Sequence, residues 1–109
     1  MPKTELLKGT LDLLILRTLE HEPRYGIRIA ERIEQITSGT FQVKPGSLFP
    51  ALHRLEQDGF IAGAWNVSAD GRRIKAYTLT REGHQQLTRE LDQWARVVLA
   101  VTQVLQAEE

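Results

Sequence analysis

The stretch that decides the fold runs from Pro45 to Gly83 and reads PGSLFPALHRLEQDGFIAGAWNVSADGRRIKAYTLTREG. Its first part predicts a helix over about 45–58, because a proline suits the first helical turn and Asp58-Gly59 suits a helix end. Its second part predicts a hairpin over about 61–79, because Asp70-Gly71 separates two strand-like runs. The segment therefore places a narrow amphipathic helix beside a two-stranded ribbon.

Two further helices are expected before this stretch, over about 4–20 and 25–37. Leucine and isoleucine cover most sides of the first helix, which predicts that it is buried on most sides, in part by a partner subunit. In the second helix, the inward positions follow the spacing i, i+4, i+7 and are Ile29, Ile33 and Ile36. Three helices followed by a hairpin predict an α+β fold, mainly α, of the winged helix-turn-helix type.

The last helix is expected over 81–109, after Thr80, which can cap its first turn. Its apolar residues recur at alternating intervals of four and three, which is the spacing of a coiled-coil seam. These residues are Leu87, Leu91, Trp94, Val98, Val101 and Leu105. We therefore predict a winged helix-turn-helix domain over 1–80 and a C-terminal dimerisation helix over 81–109, both within one compact unit.

The 1–80 domain is interpreted as DNA-binding, because helix 45–58 can enter a major groove and the hairpin can reach a minor groove or phosphates. If the leucines of that helix turn inward, its polar residues face outward, and Arg54 can fork onto a guanine edge or a phosphate. The candidate DNA contacts are Tyr25, Arg28, Lys44, Ser47, Phe49, Pro50, His53, Arg54, Arg72, Arg73 and Lys75. Three interpretations compete with these assignments: an ordinary surface helix, hairpin cations that only block strand pairing, and Tyr25 as a core residue.

The composition sets further limits on the class of protein. The 109 residues suit one small domain, and 14 basic side chains balance 14 acidic ones. The cations are partly segregated, since Arg72, Arg73, Lys75 and Arg81 are interrupted by no acid. Neither a leader nor an apolar run of about 18 residues occurs, so we expect a cytoplasmic protein. The sequence has no cysteine and its three histidines lack metal-ligand spacing, which argues against a metal, a cofactor and an enzyme.

Three strings, 7–16, 46–56 and 71–80, together resemble the PadR family of transcriptional regulators, in its short form with a single C-terminal helix, and are similar to the acidobacterial group of that family. The string GSLFPALHRLE departs from the family pattern only at Phe49, where the family has tyrosine. The resemblance implies a homodimeric repressor that binds an inverted-repeat operator in double-stranded DNA. It also implies that the last helix packs on the first helix of the partner, through Leu7, Leu11, Leu14, Leu87, Leu91, Trp94, Val98, Val101 and Leu105.

Trp94 lies in the middle of the seam, where twofold symmetry can bring it close to its mate. In drug-binding members of the family, a tryptophan on this helix stacks flat aromatic ligands, so the resemblance implies a small-molecule effector site at Trp94. The alternative is that Trp94 only fills the interface. Two other classes of protein also stay open: a MarR-type regulator, which shares the basic wing, and a ligand-sensing or interaction module without DNA binding.

Overall fold

The computed structural model describes residues 9–108, which form four helices and one three-stranded antiparallel sheet. In chain order the elements are α1 (Thr10–Thr18), β1 (Arg24–Tyr25), α2 (Gly26–Ile36), α3 (Pro45–Gln57), β2 (Ile61–Val67), β3 (Arg73–Leu79) and α4 (Arg81–Gln106). The strand order is β1-β3-β2. The predicted architecture, an α+β and mainly α winged helix-turn-helix, is confirmed.

The wing, which consists of β2, β3 and their turn (residues 61–79), has the predicted bounds. The two strands pair along their whole length, and Val67 lies opposite Arg73 at the tip. In the turn, Gly71 adopts a φ of 82°, a conformation that glycine adopts without strain, and its N–H donates to the carbonyl of Ser68 (2.9 Å). These signals are local, which is why the sequence predicts the wing correctly.

The short strand β1 is the element that the sequence does not predict. Arg24 and Tyr25 pair with Tyr77 and Ala76 of β3, so Tyr25 belongs to the sheet rather than to the second helix. Two residues are too few to show the alternation of a strand. Arg24 and Tyr25 form a strand only because they pair with β3, which lies about 50 residues farther along the chain.

The first helix is shorter than the helix expected over 4–20. Gly9 has a φ of 88°, in the left-handed region, so α1 begins at Thr10. At the other end α1 stops at Thr18, whose carbonyl accepts a hydrogen bond from Arg24 Nε (2.9 Å). The N-terminal part of the predicted helix, residues 4–8, lies outside the described residues.

The core lies between the first three helices, the sheet and the start of α4. Its buried apolar residues are Leu13, Ile15, Leu16, Leu19, Ile29, Ala30, Ile33, Leu48, Ala51, Leu52, Leu55, Ile61, Tyr77 and Leu87. Ile36, which was expected to face inward with Ile29 and Ile33, is instead 61% exposed. The prediction for Ile36 is wrong because the core does not extend to the last turn of α2.

The last helix begins as predicted, with Thr80 as its N-cap. Thr80 Oγ1 accepts a hydrogen bond from the Gly83 N–H (3.0 Å) and donates to the Gly59 carbonyl (2.6 Å). Within α4, Gly83 and Leu87 are buried. Most other residues of this helix, which is about 39 Å long at 1.5 Å per residue, are exposed in the part of the protomer that the structure describes. Among residues 9–108, no helix is both long and apolar enough to cross a membrane.

Candidate nucleic-acid interface

The third helix turns an apolar edge inward and a polar edge outward, as predicted. Its core residues, Leu48, Leu52 and Leu55, are buried against α1, α2 and the sheet. Every candidate on this helix is exposed, namely Ser47, Phe49, Pro50, His53 and Arg54. The apolar spacing of α3 therefore positions these side chains on the outer side of the domain, where they are open to a partner.

Phe49 is partly exposed and lies beside the start of α2. Its side chain is 48% exposed, and its ring edge rests on the start of α2. A Cβ added at the buried Gly26 would lie 3.3 Å from Phe49 Cε1 and 3.5 Å from Tyr77 Cε2. A glycine at position 26 thus lets the ring of Phe49 lie close to α2 while its outer face stays open.

Arg54 is held by an acid of the first helix. Its Nη2 lies 2.5 Å from Asp12 Oδ1, and this hydrogen bond raises the pKa of Arg54. Asp12 is mostly covered, whereas about half of the Arg54 side chain is exposed. The pair therefore ties α3 to α1 and leaves other guanidinium N–H groups of Arg54 available to a partner.

The tip of the wing carries two arginines in different settings. Arg72 is 83% exposed and lies 3.4 Å from Asp70. The guanidinium carbon of Arg73 lies 4.5 Å from the ring centroid of Trp65, which is itself 59% exposed. The sequence prediction does not include Trp65, which lies on the same face of β2 as the buried Ile61 but farther along the strand, beyond the core.

Lys75, predicted as a DNA contact of the wing, also joins the wing to α3. Its ammonium lies 2.7 Å from Glu56 Oε1, and this hydrogen bond lowers the pKa of the Glu56 carboxyl. The other carboxylate oxygen of Glu56 accepts from the Gly63 N–H (3.2 Å). A side chain at position 63 would collide with Lys75 and Glu56, so a glycine makes room for the pair. Lys75 thus links the wing to α3, and its contact with DNA stays a prediction.

The remaining candidates surround the second and third helices. Tyr25 is half-buried in β1, while Arg28 is exposed and lies 3.2 Å from Glu31. Lys44 is exposed at the N-cap of α3, where its carbonyl accepts the Leu48 N–H (2.9 Å). The N-terminus of α3 thus has a cation beside it. Pro45 has no N–H and the Ser47 N–H donates to the Lys44 carbonyl (3.0 Å), so the Gly46 N–H is the first-turn donor that suits a phosphate.

The predicted seam of α4 divides into a buried and an exposed part. Leu87 is only 2% exposed and belongs to the core of the protomer, so it is not available to a partner. The rest of the seam is exposed, namely Leu91, Trp94, Val98, Val101 and Leu105. On the first helix Leu11 and Leu14 are partly buried against the core, and Leu7 lies outside the described residues.

A cleft of about 290 Å³ separates the start of α1 from α4 and reaches Trp94. The carboxyl of Glu90 also lines it, and Glu90 Oε1 accepts a hydrogen bond from Gln86 Nε2 (3.2 Å). Glu90 Oε2 is buried and has no hydrogen-bond partner within residues 9–108. Burial raises the pKa of this carboxyl. The cleft thus combines the aromatic face of Trp94 with the carboxyl group of Glu90.

The three helices, the wing and the exposed polar edge of α3 define a winged helix-turn-helix protein. The sequence profile of the transcriptional regulator PadR-like family matches residues 15–89. The chain belongs to this family, and it is a transcriptional regulator rather than an enzyme.

Relatives and solved structures agree with this assignment. The transcriptional regulator Rv3488 of Mycobacterium tuberculosis is 36% identical over 87 residues, which cover 77% of this chain and 80% of the relative. A transcriptional regulator from Clostridium thermocellum superposes with a TM-score of 0.82 at 25% identity, covering 88% of this chain and 93% of that chain. A PadR-like transcriptional regulator from Bacillus cereus superposes with a TM-score of 0.78 at 30% identity, covering 96% of this chain and 100% of that chain.

Proposed function

We propose that the chain is a homodimeric repressor that acts in the cytoplasm and binds an inverted-repeat operator in double-stranded DNA through α3 and the wing. The observation that carries the proposal is the Glu56–Lys75 ion pair of 2.7 Å, which joins these two elements into one unit. Exposed cations lie on both parts of that unit, with Arg54 on α3 and Arg72 at the wing tip. A net charge of zero is compatible with DNA binding when the cations are grouped in this way.

In this proposal α3 enters the major groove and the wing follows the neighbouring backbone. His53 and the free N–H groups of Arg54 face base edges or phosphates, while Ser47 and Lys44 face a phosphate at the start of α3. The tip arginines of the wing reach phosphates or a minor groove. Sequence discrimination then comes from α3, and much of the affinity comes from the phosphate contacts.

The exposed apolar seam of α4 supports the dimer. Trp94, Val98 and Val101 are all large apolar side chains with nearly half or more of their surface exposed, and they continue toward Leu105. Contiguous apolar surface of this kind on a single helix is expected to be covered by a protein partner. A second copy supplies the same seam, and twofold symmetry then gives the operator two half-sites.

A titration of duplex DNA tests the DNA-binding part of the proposal. The probe is a fluorescein-labelled duplex from the region upstream of the protein's own gene, followed by anisotropy at 50 and 200 mM salt. We expect the double variant Arg72→Ala/Arg73→Ala to bind DNA more weakly. The slope of log K against log salt concentration should become less negative by about one for each arginine removed. Arg96→Ala is the matched control, because Arg96 is also exposed but lies on α4, paired with Asp92. Failure of the wild-type chain to bind at low salt would refute the proposal.

Sedimentation equilibrium tests the dimer. Val101→Asp places a charge in the middle of the exposed seam and is expected to shift the chain toward the monomer, because a buried unpaired charge is costly. Gln103→Asp is the control, since it introduces the same side chain about 200° around the helix from Val101. A wild-type chain that sediments as a monomer at micromolar concentration contradicts the dimer, and so does a Val101→Asp chain that stays dimeric.

The cleft beside Trp94 supports a small-molecule effector that releases the repressor. Its volume, about 290 Å³, suits a small aromatic molecule, which can stack on the indole. Trp65→Phe leaves Trp94 as the single tryptophan, so quenching of its fluorescence by 8-anilinonaphthalene-1-sulfonate, an anionic aromatic dye that the DNA phosphates repel, reports binding. The proposal requires quenching that saturates and that weakens the complex with the duplex. Linear quenching with unchanged DNA affinity would leave Trp94 as an interface residue.

A further inference from the structure

A ladder of side chains runs along one face of the wing from α3 to the tip. Glu56 of α3 holds Lys75, whose ammonium also lies 5.5 Å from the ring centroid of Trp65. Trp65 in turn lies under Arg73, at 4.5 Å. The pairing of β2 with β3 explains this order, because Trp65 is directly opposite Lys75 and Val67 is directly opposite Arg73. Arg73 is therefore the diagonal neighbour of Trp65 on the same face.

Trp65 lies outside the core, so core packing does not explain why this position has a large aromatic side chain. The inner end of the same strand face is covered, with Ile61 buried, whereas Trp65 and Val67 are 59% and 64% exposed. An exposed indole on a hairpin carries a cost in solubility, and here Arg73 and Lys75 lie over its ring. Its contact with Arg73 restricts the conformations of that long side chain in the free protein. The conformational entropy that Arg73 loses when DNA binds is therefore smaller.

We propose that Trp65 is a positioning residue for DNA binding, which orients the Arg73 guanidinium toward the phosphate backbone or minor groove beside the wing. The proposal rests on the DNA-binding function proposed above. The stacked guanidinium keeps its N–H edge free, because a cation over an aromatic face uses its plane and not its donors. Lys75, which Glu56 holds, also lies over the indole at 5.5 Å, so the ion pair connects the indole and Arg73 to α3.

The test compares Trp65→Leu, which keeps an apolar side chain, with Trp65→Phe, which keeps an aromatic face. The measurement is the Kd for the labelled upstream duplex. Trp65→Leu is expected to weaken binding about two- to fivefold, and Trp65→Phe is expected to recover much of that loss. Because Trp65→Leu retains the charge of Arg73, its salt dependence should stay near that of the wild type. Val67→Ala, which removes another exposed apolar side chain beside Arg73, is the control and should leave Kd unchanged.

A double-mutant cycle identifies the route of the effect. If Trp65 acts through Arg73, then Trp65→Leu has no further effect on Kd in the Arg73→Ala background. If the loss persists there, the indole acts independently of Arg73 and the inference is overturned. Equal Kd values for the wild type, Trp65→Leu and Trp65→Phe overturn it as well, while the proposed DNA binding stands. A wild-type chain that binds no duplex overturns the proposed function, and this inference fails with it.

In the free protein, proton NMR gives a readout that does not depend on DNA. The ring current of an indole 4.5 Å away should shift the side-chain resonances of Arg73 from their usual positions. Trp65→Leu should return them, and Trp65→Phe should leave a smaller shift. Unshifted Arg73 resonances in the wild type would show that the stack is absent in solution and would overturn the inference directly.

Discussion

A single methyl group at Gly83 should destabilise the protein, although helix propensity predicts the opposite. Gly83 is buried in the first turn of α4, where that helix packs on the chain at Phe60. A Cβ at this position would overlap with the carbonyl oxygen of Phe60 and lie 2.7 Å from Leu79 Cδ1. The Phe60 carbonyl is also fixed, since it accepts the Thr80 N–H at 3.1 Å. The obstacle is backbone, so α4 itself has to move.

The magnitude follows from two opposing effects. Replacing glycine by alanine within a helix gains up to about 1 kcal/mol through propensity. Overpacking a filled site costs about 1–3 kcal/mol, and a backbone obstacle places Gly83→Ala at the upper end of that range. We therefore expect a net loss of about 2 kcal/mol in the free energy of unfolding. Gly46→Ala in the first turn of α3 is the matched control, because a Cβ there meets no atom of the described residues within 4 Å.

Urea denaturation followed by circular dichroism measures both variants, at one fixed protein concentration because dimerisation changes apparent stability. Gly83→Ala should lower the midpoint with little change in slope, and Gly46→Ala should leave the midpoint unchanged or raise it. A Gly83→Ala chain as stable as the wild type would refute the reasoning, because it would show that α4 does not pack this closely on Phe60.

Three further predictions concern the core, the partly buried Glu90 and the Asp12 ion pair. Leu87→Ala should lower the free energy of unfolding by about 2–5 kcal/mol, whereas Leu99→Ala, at an exposed position of α4 outside the seam, should change it by less than about 0.5 kcal/mol; urea midpoints measure both. Burial raises the pKa of Glu90, so the folded state binds its proton more tightly and stability falls as pH rises from the ordinary glutamate pKa through the raised one. Glu90→Gln should remove this pH-dependent loss of stability and should be more stable than the wild type at pH 7. Equal profiles of unfolding free energy against pH for the two proteins would contradict this prediction. Asp12→Asn removes an acid beside α3 and releases Arg54, so the Kd for the upstream duplex should tighten at least about twofold at low salt; weaker binding would instead mean that Asp12 positions Arg54 for DNA.

The sequence by itself determined the elements whose signals are local. Pro45 and the Asp58-Gly59 pair mark the ends of α3, and the Asp70-Gly71 turn marks the wing, so both agree with the structure. Thr80 caps α4 as predicted. Each of these signals acts within a few residues through hydrogen bonds or allowed backbone angles. Its effect on local structure therefore does not depend on how the rest of the chain packs. The family resemblance rests on the same segments.

The tertiary structure alone decided which of the predicted side chains are free. Lys75 meets Glu56 across 19 positions and Arg54 meets Asp12 across 42, and no spacing rule in the sequence predicts either pair. Leu87 fits the heptad as well as its neighbours do, yet it lies in the core because only the first turns of α4 reach the domain. Periodicity states which side of a helix is apolar. Whether the protomer or a partner covers that side depends on where the helix leaves the core, which is a property of the whole fold.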